Sequence, residues 1–186
     1  QVARIPLQED WTMPGDFAAQ LNLSKARIAF IVNPHAPSGL LSSVASIDRI
    51  ASEFNGVLVI DEAYVDFVDP ALQHDAVDLV RRHDNELILR TMSKGYSLAG
   101  LRFAYGLGAA SLLAPMLYKT RDSYNTDYIS QLLATAALDS HQDAAASWQS
   151  VRAERDRMTN ELAALQLRCA PSQSNFLLAQ VPAPAA

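Results

Sequence analysis

Lys94 stands in the stretch Arg90-Thr91-Met92-Ser93-Lys94-Gly95-Tyr96-Ser97-Leu98-Ala99-Gly100-Leu101-Arg102, directly after the apolar run Leu87-Ile88-Leu89. A lysine at the end of a buried strand can be desolvated, which favours the neutral amine. A neutral amine attacks a carbonyl carbon and forms a Schiff base. Thr91, Ser93 and Arg102 add hydroxyls and a fixed positive charge, a combination suited to a phosphate. Taken alone, the Ser-Lys pair reads more simply as a solvated loop after a strand. Two other positions alter that balance. Asn33 follows Ile28-Ala29-Phe30-Ile31-Val32, and Asp61 follows Val57-Leu58-Val59-Ile60. The three polar positions are about 30 residues apart, the length of one strand–helix–strand unit.

The elements that must position them follow from periodicity. Apolar runs predict strands over 27–32, 57–60 and 86–90, with a fourth over 102–107. The apolar positions Val44, Ile47, Ile50, Ala51 and Phe54 have helical spacing, Ser42 or Ser43 can cap that helix, and Asn55-Gly56 closes it. Helices are also expected over 17–23, 71–82, 109–118, 128–138 and 143–165, the last with Val151, Met158, Leu162 and Leu165 as an apolar stripe, and a further strand over 175–179. Alternating strands and helices predict an α/β fold: a mostly parallel sheet with right-handed crossovers and helices on both faces. Ligands of such sheets bind beyond the carboxyl ends of the strands, which brings Asn33, Asp61 and Lys94 to one edge. Residues 1–145 are read as this core, and 146–186 as a bridging helix and the start of a small α+β domain.

Composition narrows the function classes. The 186 residues carry a net charge of -5, with 49% hydrophobic and 19% charged residues, as in an ordinary globular protein. No basic stripe is present to neutralise nucleic-acid phosphates, and Arg81-Arg82-His83 reads as a solvated helix end. Cys169 is the sole cysteine, so no disulfide framework exists and a reducing compartment, the cytoplasm, is expected. No apolar run reaches the roughly 18 residues of a membrane span. The first residues lack the apolar core of a signal peptide, and the tail 181–186 offers little to pack.

A cofactor with an aromatic ring nitrogen, an aldehyde and a phosphate would use every group singled out so far. Lys94 would condense with the aldehyde, Asp61 would keep the ring nitrogen protonated, and Asn33 and Tyr64 would donate to the ring oxygen. Thr91, Ser93 and Arg102 would take the phosphate. Pyridoxal 5'-phosphate has that composition. The motifs Asn33-Pro34-x-x-Pro37-Ser38-Gly39, Asp61-Glu62-Ala63-Tyr64 and Ser93-Lys94 with Leu98-Ala99-Gly100-Leu101-Arg102 together resemble the fold-type-I, class II aminotransferases. Among these, the histidinol-phosphate aminotransferases are the most similar. The resemblance covers residues 27–105 and extends more loosely to about residue 180. It implies Lys94 as the cofactor-bonding lysine and proton shuttle, the cofactor contacts just named, and a cis Asn33-Pro34 bond. It further implies a homodimer that transfers an amino group between a phosphorylated amino substrate, histidinol phosphate, and a 2-oxo acid, 2-oxoglutarate. The family usually has Asn at His35 and often Thr at Ser38. Its upstream tyrosine, Gly-rich phosphate loop and downstream carboxylate-binding arginine have no counterpart here, so the chain resembles the middle of such an enzyme.

Rival readings are weaker. A phosphate-ester amino-acid decarboxylase of the threonine-phosphate type would share the whole motif set. A catalytically inactive, aminotransferase-derived interaction module is the alternative from another class. Val57 to Glu62 has the form of a Walker B strand, but no G-x-x-x-x-G-K-[ST] loop occurs. Gly106-Leu107-Gly108 reads as turn chemistry rather than a dinucleotide fingerprint. His35, His74, His83 and His141 lack metal-ligand spacing and read as surface histidines. Tyr118, Tyr124 and Tyr128 could line a pocket, a neighbouring subunit's pocket, or the core.

Overall fold

The computed structural model describes residues 2–120 and 122–181, so the tail beyond Val181 lies outside the described residues. The chain runs α1 (Phe17–Leu23), β1 (Ile28–Val32), α2 (Val44–Glu53), β2 (Val57–Asp61), α3 (Leu79–Arg82), β3 (Glu86–Thr91), β4 (Ala104–Gly108), α4 (Ala110–Lys119), α5 (Tyr128–Asp139), α6 (His141–Ala164), β5 (Arg168–Cys169) and β6 (Ala179–Gln180). Strands β1 to β4 form one sheet in that order, and β5 pairs with β6. Strand β2 is parallel to β1 and to β3, while β4 returns antiparallel to β3.

Side-chain alternation explains the packing. Ile31, Ile60 and Ile88 are aligned across the three parallel strands. They share a core with Phe17 and Leu21 of α1, Ile47 and Ile50 of α2, and Leu79 of α3. Each such side chain stabilises the fold by about 1.5–3 kcal/mol when fully buried. On the opposite face Val59 and Leu87 are buried, but Phe30 on the edge strand is 70% exposed. Helix α2 starts where Ser43 accepts a hydrogen bond from the Ser46 N–H at 3.2 Å. Its end is closed by the Asn85 side-chain amide, which donates to the carbonyls of Ala51, Phe54 and Gly56.

Four expectations give way to local chemistry. The helix expected over 71–82 is a 3₁₀ turn at Pro70–Leu72 and the single turn of α3. The Asp69 and Asp75 side chains accept from the backbone N–H groups of Ala71 and Val77, and Gln73 is left-handed at φ 47°; such side-chain bonds compete with helix. The strand expected over 175–179 shrinks to β6, because the Ser172 and Ser174 hydroxyls capture the Phe176 carbonyl. Gly106 and Gly108 lie inside β4 rather than in a turn. A Cβ at Gly106 would press on Leu87 and Leu89 of the neighbouring strand. Finally, α6 does not bury the expected stripe. Met158 and Leu165 are exposed, and its buried residue is Arg155, which donates to the carbonyls of Phe67 and Ser174 at 3.1 Å. Among the described residues, no helix is long and apolar enough to cross a membrane.

Candidate active site

The three parallel strands end side by side, and their ladder continues past the ends. The Asn33 N–H donates to the Asp61 carbonyl at 2.9 Å, and the Glu62 N–H donates to the Leu89 carbonyl at 2.9 Å. Asn33 is fully buried. Its side-chain carbonyl accepts from the Ser42 N–H at 2.7 Å, and its amide nitrogen donates to the Ser42 carbonyl at 3.2 Å. It thereby ties the ends of the proline loop, in which Asn33-Pro34 and Ala36-Pro37 are both cis. Asp61 is half-buried, and its Oδ1 accepts from the Ala63 N–H at 3.0 Å. Tyr64 meets Phe176 edge-on at 5.0 Å.

The lysine loop is closed by its own backbone. The Met92 N–H donates to the Phe103 carbonyl at 3.1 Å, and the Leu98 N–H donates to the Met92 carbonyl at 2.9 Å, with the Met92 side chain fully buried. The Thr91 hydroxyl oxygen accepts from the Ser93 N–H at 3.1 Å. Lys94 Nζ lies 5.4 Å from the centre of the Tyr64 ring, within the range of cation–π attraction. Arg102, left-handed at φ 55°, is exposed and bonds the Ala99 carbonyl at 2.9 Å. Asn33, Asp61 and Thr91 thus share one end of the sheet, and Lys94 joins Tyr64. The expected desolvation of Lys94 is not present in this chain, where the residue is exposed and its amine is placed against the Tyr64 ring.

Several residues that shape this end were given no such role in the sequence reading. Glu62 is buried, and its Oε2 accepts from Arg90 Nε at 2.9 Å and Nη2 at 2.8 Å. The pair was legible in principle, since Ile60 and Glu62 share a strand face with Ile88 and Arg90. His74 is no surface histidine: its side chain is 2% exposed, with Nε2 3.5 Å from Glu62 Oε1. His83 is partly buried as well, 2.6 Å from Asp48. Asp66 packs on Gly95, where a Cβ would overlap its carboxylate. Burial pushes its pKa up to about 6, against the opposing pull of the Arg90 charge. Trp148 of α6 donates its indole N–H to the Gly95 carbonyl at 2.6 Å; nothing local in the sequence marks a contact 53 residues long. Tyr118, Tyr124 and Tyr128 are all exposed, not core. Among the described residues no cluster of His, Cys, Asp and Glu has metal-binding geometry.

The model of the aminotransferase class I and II family matches residues 1–186, and the chain belongs to that family. Among curated relatives, histidinol-phosphate aminotransferase 1 of Nostoc sp. (strain PCC 7120 / SAG 25.82 / UTEX 2576) is 41% identical over 181 residues, which are 97% of this chain and 49% of that protein. The crystal structure of histidinol-phosphate aminotransferase from Sinorhizobium meliloti in complex with pyridoxal-5'-phosphate matches with a TM-score of 0.85 at 24% identity, over 95% of this chain and 48% of that one. A decarboxylase from Sulfurospirillum multivorans matches with a TM-score of 0.81 at 21% identity, over 97% of this chain and 54% of that one. The chain spans about half the length of the curated relatives it matches.

Proposed function

We propose that the protein is a pyridoxal 5'-phosphate-dependent aminotransferase acting on histidinol phosphate and 2-oxoglutarate, in histidine biosynthesis. The observation that carries this is the meeting of Lys94 with Tyr64 beside the strand ends that hold Asn33, Asp61 and Thr91. The donor set fits the cofactor: an amine, a carboxylate, a phenol and amide, and two hydroxyls with a guanidinium. When bound, pyridoxal phosphate supplies an aldehyde that condenses with amines and a ring that withdraws electrons. Asp61 would hold the proton on the ring nitrogen, because a carboxylate beside it raises that nitrogen's basicity. Tyr64 and the second N–H of Asn33 would donate to the ring oxygen. Thr91, Ser93 and Arg102 would bind the phosphate. Lys94 would hold the cofactor and move the proton at the substrate's α-carbon.

We read residues 1–145 as the cofactor-binding core and 146–186 as the bridge to a small domain, a division supported by the separate β5–β6 sheet. The protein is expected to work as a cytoplasmic homodimer. The 41% identity to a histidinol-phosphate aminotransferase favours transamination over the decarboxylation of a similarly folded protein.

The test is spectroscopic. Mixed with pyridoxal phosphate, the protein should develop a visible band that borohydride bleaches, and Lys94→Ala should lose it. A wild-type protein without that band is the inactive module instead. With histidinol phosphate and 2-oxoglutarate, glutamate should accumulate; release of carbon dioxide from a phosphorylated amino acid would identify a decarboxylase.

A further inference from the structure

We infer that Trp148 is a positioning residue for Lys94, acting through the backbone of Gly95 and making the start of α6 part of the catalytic layer. This rests on the reading of Lys94 as the reacting amine. Exposed as it is, the Lys94 side chain takes its direction mainly from the backbone that follows it. In the first peptide after Lys94, the Lys94 carbonyl accepts from the Ser97 N–H at 3.0 Å. In the next peptide, the buried Gly95 carries a carbonyl that no strand or helix satisfies, and a buried carbonyl needs a donor. The indole N–H, which can only donate, supplies it at 2.6 Å.

Two ring contacts hold that indole still: Tyr96 meets it edge-on at 5.4 Å and His141 edge-on at 5.8 Å. On Gly95 itself, Asp66 occupies the space where a Cβ would sit. The glycine therefore lies between a carboxylate and an indole, and a shift of α6 along its axis would be felt at the lysine.

Hydrogen exchange tests this without the cofactor. In Trp148→Phe, which keeps an aromatic ring and removes the donor, the bonded amides of Ser97 and Leu98 should exchange roughly fivefold faster or more, the effect of one lost hydrogen bond, while β1 to β3 stay unchanged. Trp11→Phe should leave the loop as it is. Unchanged loop exchange in Trp148→Phe would overturn the inference. If that variant does not fold, the wild-type indole N–H decides. It should exchange far more slowly than that of Trp11, and equal rates would sink the idea. With pyridoxal phosphate added, Trp148→Phe should keep the visible band but move its pH midpoint by at least about 0.5 unit, roughly a threefold change in the proton equilibrium. An unmoved midpoint would make Trp148 structural only. Absence of the band in wild type would overturn the transaminase reading, while the exchange result would still judge the hold on the loop.

Discussion

Glu86 is a carboxylic acid with nothing to bond. It starts β3, is fully buried, and neither oxygen has a hydrogen-bond partner among the described residues. Burial pushes its pKa up to about 7, and the charges of Glu62 and Asp48 push the same way against Arg82. The folded state therefore binds a proton that the unfolded chain releases above about pH 4.5. Stability from this group is fully present below that pH and is lost as pH rises toward 7. Glu86→Gln keeps the shape and cannot ionise. It should be close to wild type near pH 5 and more stable by about 2–3 kcal/mol at pH 8, measured by urea denaturation at both values. Equal stability at pH 8 would mean that Glu86 finds water or a partner. Glu62, on the same face, shows the other solution to burial, since Arg90 meets its charge with two N–H groups. That ion pair joins the ends of β2 and β3 just where Asp61 and Thr91 leave them, so it fixes register at the site.

At the scale of elements, the loops that carry the chemistry are held by segments remote in sequence. Gly39, at φ 76°, has Ser172 against it where a Cβ would stand, and its carbonyl accepts from the Gln173 N–H at 2.8 Å. Gly39→Ala should cost about 1–3 kcal/mol through a left-handed backbone and a clash together. Thermal denaturation should show the loss, and Ser172→Gly in the same chain should restore at most part of the steric share, since the Ser172 Cα stays close and its hydroxyl bonds are given up. An undiminished melting temperature would show that the two loops separate easily. This is also where sequence reading stops. Strands β1 to β3 and helix α2 were legible because apolar residues recur at the period of each element, and their order dictated which ends carry Asn33, Asp61 and Lys94. The short α3 and the loop before β6 were not legible, because Asp69, Asp75, Ser172 and Ser174 spend their side chains on backbone groups. Trp148 on Gly95 and Arg155 on Phe67 are side chain-to-carbonyl bonds between distant segments, and no periodicity encodes those.

At the scale of the whole molecule, apolar surface is distributed unevenly. Leu117, Tyr118, Tyr124, Tyr128, Ile129 and Leu132 are all more than half exposed, Tyr118 at 88% and Tyr124 at 86%, and they fall within the stretch from the end of α4 into α5. A protein seldom leaves that many large apolar side chains in water on neighbouring elements unless something covers them. The curated relatives are about twice as long as this chain, so two covers compete: a further segment such as those relatives carry, or a second copy. Tyrosines with open hydroxyls suit an interface that is partly wet, where one end of the ring is buried and the other bonds water or a partner. We expect a second copy. Ile129→Asp in the intact protein should then weaken dimerisation by roughly tenfold or more, read by sedimentation velocity across a concentration series, with little change in the melting temperature of the monomer. A drop in melting temperature with the dimer constant unmoved would assign the surface to such a further segment. Because the visible band with pyridoxal phosphate depends on residues of this chain alone in the present reading, the dissociated Ile129→Asp protein should still form it. Loss of the band on dissociation would mean that the partner copy completes the cofactor site.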